Sequence, residues 1–358
     1  MHSAALPRFP DEQGYTRTPD RTPPGTAVRC DTIEEVKAIV VDSENLSLSD
    51  VPDPTPASGE VVIDVVAAGV NRADILQRAG NYPPPPGASD TLGLEVSGRI
   101  SALGDGVSGW SEGDEVCALL AGGGYAEKVS VPVEQVLAVP KGVDLVSAAA
   151  LPEVACTVSS NIFDTAHLTT GELLLIHGGS SGIGTHATQI AHAMGARVAV
   201  TARTQDKLER CREFGADILI DYSSQDFAEI LQDAGGADVI LDIIGAKYLK
   251  SNLKALRTDG RLVIIGMQGG TTTEINLGHL LAKRLSVMGT TLRARPVHGP
   301  GGKAEVVAST LTRTWPLIEA GTVVPVVDRV LPLADAGAAH DHLNSGDVVG
   351  KVLLSVAD

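Results

Sequence analysis

Hydrophobic and polar positions follow two different rhythms along this chain. From Lys37 to about Cys156, short runs rich in β-branched residues stand between Gly and Pro turn signals: "KAIVV", "VVIDVVAAGV", "EVSGRISALG", "DEVCALL" and "AEKVSVPVEQVLAVP". Such runs predict a compact, mostly-β domain. The stretch "NYPPPPGASD" within it is a loop, because consecutive prolines cannot join a central strand. From about Thr157 the rhythm changes. The apolar strand "ELLLIH" leads into a helix through "IGTHATQIAHAM", with Ile183, Ala187, Ile190, Ala191 and Met194 along one face. Then follow "RVAVT", "QDKLERCREFG", "ILID", "QDFAEILQDAG", "DVILD", "KYLKSNLKALR" and "RLVIIG". Strands alternating with helices specify a parallel sheet built of βαβ units, and strands apolar throughout suit a sheet covered on both faces. After about Arg295 the pattern loosens and closes with "VVPVVDRVLPL", a helix near "ADAGAAHDHLN" and the strand "GKVLLSV". This last part resembles the first domain, so the chain is expected to return there.

The reading is therefore α/β: a mostly-β domain over 36–156, a doubly wound parallel-sheet domain over 157–295, and a return to the first domain over 296–358. Residues 1–35 are rich in Pro, Thr, Arg and Asp and read as a disordered N-terminal extension, with Val36 opening the first strand-like run.

Composition narrows the partners. A formal net charge of −16 repels a phosphate backbone and an anionic membrane surface, so nucleic acid and membrane are not expected partners. No apolar run of about 18 residues suggests a transmembrane helix. Cys30, Cys117, Cys156 and Cys211 are scattered without a C-x-x-C pair. They read as small buried residues in a protein of the reducing cytoplasm.

The richest chemistry lies in "LLLIHGGSSGIGTHATQIAHAMGARVAVTAR". A strand ends at His177, a Gly-rich turn follows, and a helix begins near Ile183. Backbone N–H groups at a helix start, aided by the helix dipole, can hold a pyrophosphate. Gly179, Gly182 and Gly184 match the first, fourth and sixth places of G-x-G-x-x-G, with Ser181 in the third place and Ser180 beside it. The strand–turn–helix setting supports dinucleotide binding, against an ordinary Gly-rich connector. The next strand ends in Thr201, Ala202, Arg203, Thr204 with no acid at its tip. Arg203 and Lys207 can pair with a 2′-phosphate, which favours NADPH over NADH, although Asp206 lies close. Gly245 and Gly266 end two later strands and should border the same crevice, where a missing Cβ lets a nicotinamide ring approach.

Several segments in order carry a family resemblance: "NRADILQRAGNYPPPPGASDTLGLEVSG", "LLAGGGYAEKVSVP", "AAALPEVACTV", "IHGGSSGIGTHATQIA" and "GKVLL". From about Val36 to Val356 the chain resembles the zinc-free quinone oxidoreductases of the medium-chain dehydrogenase/reductase superfamily, in the inducible NADPH:quinone oxidoreductase branch related to zeta-crystallin. The resemblance implies a GroES-like catalytic domain and a Rossmann domain with a cleft between them. It also implies a homodimer formed through the edge strand "LSVMGTTL". It places Asn71 near the nicotinamide or its ribose, Tyr82 at the substrate pocket, Thr157 against the cofactor, and Tyr222 with Arg203 and Lys207 at the 2′-phosphate.

The zinc enzymes of this superfamily hold metal through Cys, a Gly-His-Glu segment and a later Cys. Here the first place is Asn71 and the segment reads Gly93, Leu94, Glu95, so no tetrahedral catalytic site is expected. His340 and His342 read as surface-helix residues, and His298 as a loop residue. Without a Lewis acid the acceptor must be electron-poor, such as a quinone or an activated alkene. Tyr82, or water, is then the candidate proton donor, and Asp74 reads as a helix-start contact. Two alternatives stay open: reduction of conjugated enals, enones or enoyl thioesters, and NADPH binding without catalysis.

Overall fold

The structure is a computed structural model that describes residues 34–356. The expectation for the N-terminal extension falls almost wholly outside this range. The strands are β1 (Glu35–Asp42), β2 (Asn45–Pro52), β3 (Glu60–Val70), β4 (Glu95–Leu103), β5 (Glu115–Leu119), β6 (Lys128–Pro132) and β7 (Val136–Ala138). There follow β8 (Leu173–His177), β9 (Arg197–Ala202), β10 (Ile218–Asp221), β11 (Ala237–Asp242), β12 (Leu256–Ile264) and β13 (Ser286–Gly289), and finally β14 (Val327–Pro332) and β15 (Lys351–Ser355).

The first domain is a seven-stranded sheet in the order β14-β15-β3-β4-β5-β7, with β6 also on β3, beside the β1–β2 hairpin. Strand β3 is the spine. Its 11 residues are mostly Val, Ile and Ala, nearly all buried, and it pairs with β4, β6 and β15. Branched side chains suit that position because they pack on both faces of a central strand.

The second domain is a six-stranded sheet in the order β10-β9-β8-β11-β12-β13, parallel throughout. Alternate residues feed two separate cores. Leu174, Ile176, Val198, Val200, Val239 and Leu241 pack on one face, and Leu173, Leu175, Ala199, Ile240 and Leu262 on the other. This explains why these strands read as continuous apolar runs. Chain order reverses between β8 and β11, which opens a crevice beyond their carboxyl ends.

The chain re-enters the β domain at its end. Strand β15 runs antiparallel to β3, with Val352 opposite Val70, and β14 lies beside β15. Before that, helices Lys303–Arg313 and Trp315–Glu319 bury Val306, Val307, Trp315 and Ile318 in the same core as Leu137, Ala155 and Phe163. The helix Ala336–Ser345 corrects one expectation. His340 is fully buried, because the inner face of this helix packs on the β domain beside Tyr125. The three described cysteines, Cys117, Cys156 and Cys211, are free and buried, as expected of small core residues.

Candidate active site at the carboxyl end of the parallel sheet

The turn after β8 is shaped by backbone crowding. Gly178 has φ +73°, a left-handed conformation that L side chains rarely adopt, so the residue that needs glycine for its torsion lies one place before the motif read from sequence. Gly184 is needed for a different reason: a Cβ there would sit 2.3 Å from the Gly178 carbonyl and 2.6 Å from that of Gly179. Gly179 lies against Val200, and Gly182 against the stem of Lys351. Ser181 caps the helix Gly182–Ala193, its hydroxyl accepting the Gly184 N–H at 3.1 Å and donating to the Gly178 carbonyl at 2.8 Å. Gly350 pairs with Ser181 in a parallel bridge and so takes the Gly182 N–H, while among the described residues no backbone acceptor meets the N–H groups of Ser180 and Ile183, which both line the crevice. Two free donors at a helix start fit an anionic pyrophosphate.

The crevice is a cavity of about 290 Å³. It gathers Asn71, Ser180, Ser181, Gly182, Ile183, Arg203, Lys207 and Tyr222 from the expected set, together with Lys351. Arg203 is exposed at the tip of β9 and Tyr222 is 43% exposed after β10, so both can meet a solvent-side phosphate. The Lys207 ammonium donates to the carbonyls of Gly346 and Val348, and burial lowers its pKa. It therefore ties the C-terminal loop to the crevice rim as well as bringing positive charge there.

Other expected residues stand elsewhere. Thr201 is buried and acts beneath the turn: its hydroxyl accepts the Gly178 N–H at 3.2 Å and its carbonyl the Gly179 N–H at 2.9 Å. Thr157 is buried in the helix Pro152–Val158 and does not line the cavity. Nor do Gly245 and Gly266. A Cβ on Gly266 would meet the Ile243 carbonyl at 2.8 Å, and one on Gly245 the Gly270 carbonyl at 3.0 Å. Packing of the loops after β11 and β12 thus suffices to require glycine there. Tyr82 stacks beneath Arg293, whose guanidinium lies 5.4 Å from the ring centroid. Arg293 also donates to the Ala121 carbonyl and to Gln77 Oε1, locking the loop after β13 onto the β domain. Beside it a second cavity, of about 600 Å³, runs under the proline loop, lined in part by Pro85, Leu120, Arg293 and Lys303.

A polar network under β8 and β11 escaped the sequence reading. His177 meets Asn252 Oδ1 through Nε2 at 2.8 Å and Thr201 Oγ1 through Nδ1 at 3.2 Å. Asn252 donates to Asp242, which accepts the N–H groups of Ile244 and Gly245. Burial pushes the His177 pKa down to about 4, so the ring is neutral and acts as a strut for both loops.

The other missed group is a charged cluster where the domains meet. Lys351, 5% exposed, places Nζ 2.5 Å from Glu95 Oε1, 2.7 Å from Asn71 Oδ1 and 3.0 Å from the Val70 carbonyl. Asn71 Nδ2 donates to Glu95 Oε1 at 2.9 Å, and the Glu153 N–H to Glu95 Oε2 at 2.9 Å. An ammonium thus occupies the centre of the Asn71–Glu95 pair, and its three protons have three acceptors. Asp74 accepts the Asn71 and Gly93 N–H groups, as a helix-start contact should; burial outweighs these bonds and raises its pKa to about 6. Gly350, just before β15, also bonds the turn itself, its N–H donating to the Ser180 carbonyl at 2.9 Å. A signal for Lys351 existed: a lone lysine opening an apolar strand needs a buried partner.

Comparison with known proteins gives this arrangement a lineage. The alcohol dehydrogenase GroES-like domain profile matches residues 57–141, and the zinc-binding dehydrogenase profile matches residues 182–299. The quinone oxidoreductase of Rattus norvegicus is 32% identical over 311 residues, covering 86% of this chain and 92% of that protein. The chain belongs to the medium-chain dehydrogenase/reductase superfamily. Within it, the acryloyl-coenzyme A reductase of Sulfurisphaera tokodaii is 28% identical over 349 residues, covering 89% of this chain and 99% of its own. The crystal structure of Escherichia coli quinone oxidoreductase complexed with NADPH superposes with a TM-score of 0.78 at 27% identity, covering 90% of this chain and 99% of that one. This medium-chain oxidoreductase therefore has the GroES-like and Rossmann halves expected of its superfamily. Among its described residues, no group of three or more His, Cys, Asp or Glu is arranged to hold a metal ion, and no helix is long and apolar enough to cross a membrane.

Proposed function

We propose that this protein is an NADPH-dependent reductase that passes hydride to a quinone without a metal. The observation that carries the proposal is the crevice itself. Orphan N–H groups at one end suit a pyrophosphate, Arg203, Lys207 and Tyr222 suit a 2′-phosphate, and Asn71 stands at the other end beside the Glu95–Lys351 pair. Residues Ser180 to Gly184 would hold the pyrophosphate, with Thr201 supporting the turn from below. When bound, the cofactor supplies the hydride. The protein contributes orientation and a water-poor cleft. Lys351 fixes the Asn71 amide by taking its oxygen, which leaves Nδ2 directed at Glu95. Asn71 and Leu94 stand where the zinc enzymes carry Cys and His, which favours electron-poor acceptors that need no Lewis acid.

Reduction of conjugated enoyl compounds is the second reading, favoured by the acryloyl-coenzyme A reductase relative. The larger cavity, with Arg293 and Lys303 on its wall, has room for part of a thioester tail. The exposed edge strand β13 suits pairing with a second copy, which would make a homodimer. Free buried thiols suit the cytoplasm. A matrix of NADPH and NADH against quinones, enones and enoyl thioesters, with metal analysis of the same sample, tests the proposal. NADPH with quinones is the expected best combination. Equal rates with NADH would overturn the assignment of Arg203 and Lys207.

A further inference from the structure

Hydride transfer to a quinone or an enone leaves an electron pair on oxygen that needs a proton. The cluster around Asn71 offers four ionisable groups, and geometry removes three. Lys351 has all three protons donated and is 5% exposed. Asp74 is sealed, its carboxylate taken by the Asn71 and Gly93 N–H groups and the Tyr125 hydroxyl. Glu95 is fully buried beneath the Lys351 ammonium, the Asn71 amide and the Glu153 N–H. Glu153 remains. Its own N–H is spent on Glu95, but the residue keeps some accessible surface inside a deep protein surround, and no described residue donates to its carboxyl.

Its position is also right. Glu153 lies in the first turn of the helix Pro152–Val158, one residue before Val154 of the crevice wall, and its N–H bonds the Glu95 carboxylate that holds Asn71 and Lys351. Its charged neighbours are Lys351, which lines the crevice, and Arg293 and Lys303, which line the larger cavity. Resting on the functional reading above, we infer that Glu153 is the acid that protonates the reduced acceptor. In this step the Glu153 O–H bond breaks and its proton bonds to the acceptor oxygen that holds the new electron pair. The carboxylate left behind is reprotonated from solvent.

The surroundings keep the acid protonated at neutral pH. Burial, then the negative charges of Glu95 and Asp74, hold its pKa up at about 8 against the opposing pull of Lys351 and Arg293. Lys303 faces it from the helix Lys303–Arg313 and Cys156 from its own helix. Neither Tyr82 nor any histidine faces this carboxyl in the described structure.

The test combines a resting-state and a kinetic measurement on the whole protein. Infrared difference spectra between wild type and Glu153→Gln, without cofactor, should show a carboxylic-acid C=O stretch that titrates away near pH 8. With NADPH and a quinone, Glu153→Gln should lose on the order of 100-fold in kcat while the NADPH dissociation constant stays unchanged. Glu153→Asp should recover part of the loss, and the wild-type decline in kcat above that pH should vanish in the Gln variant. Wild-type kcat in Glu153→Gln, or an ionised Glu153 at pH 6, would overturn the role. A wild type inactive with every acceptor would overturn the functional reading, and the infrared titration would still decide whether Glu153 holds the proton.

Discussion

Replacing Lys351 with Met tests how the domain junction is held. The side chains are similar in length, so the change removes one charge and three donated hydrogen bonds, to Glu95, Asn71 and the Val70 carbonyl. Glu95 would keep only the Asn71 amide and the Glu153 N–H while remaining fully buried. Breaking a buried pair from one side costs about 3–5 kcal/mol, because the remaining charge has no compensating partner. The specific unfolding entropy of a chain this size converts that to a fall in Tm of about 4–7 °C. Removing both charges, with Glu95→Gln added, should recover about 2–3 kcal/mol, since contacting residues are not additive. Urea denaturation at neutral pH measures Lys351→Met, Glu95→Gln and the double variant. A loss below about 1 kcal/mol for Lys351→Met, or strict additivity in the double variant, would refute a tightly coupled pair, since exposed ion pairs lie in that range.

Other consequences are open to direct measurement. Gly184→Ala puts a Cβ 2.3 Å from a backbone oxygen of the turn, so the turn must open; stability should fall by about 1–3 kcal/mol and the thermal shift given by NADPH should shrink, as a melt with and without cofactor would read. Arg203→Asp should raise the NADPH dissociation constant on the order of 10–100-fold and leave NADH nearly unaffected, which calorimetric titration would detect. Glu153 titrates at a raised pKa in the folded chain, so its contribution to stability is present at low pH and is lost as pH rises from about 4.5 to about 8. The Tm advantage of Glu153→Gln over wild type should therefore grow across that window; an advantage independent of pH would contradict the burial of this carboxyl. If β13 pairs two copies, Val287→Pro should convert a dimer to a monomer in sedimentation, whereas an unchanged mass would remove the edge strand from the interface.

The sheets were legible because their signal is local. Val, Ile and Leu runs bounded by Gly and Pro report burial on both faces, and β8 through β12 followed them. The turn was legible as strand, glycines and helix, but which glycine takes the left-handed torsion depends on what passes overhead. Val200 and Lys351 decide the places of Gly179 and Gly182, and both arrive from distant segments. The same holds for the charged cluster. Asn71, Glu95, Glu153 and Lys351 lie on four separate segments, so neither periodicity nor spacing could join them. His340 was misplaced because its helix has only a weak apolar stripe, and the partner of the buried ring, Tyr125, lies 215 positions away. Tyr82 drew attention as a loop aromatic, while the Arg293 that covers it comes from the far side of the Rossmann half.

The most direct test of the account is turnover by chelator-dialysed protein, with metal content measured on the same sample. The expected result is undiminished NADPH oxidation with a quinone, competitively inhibited by an adenosine nucleotide that bears the 2′-phosphate. Loss of activity on dialysis that an added divalent cation restores, or no competition from the 2′-phosphorylated nucleotide, would contradict it.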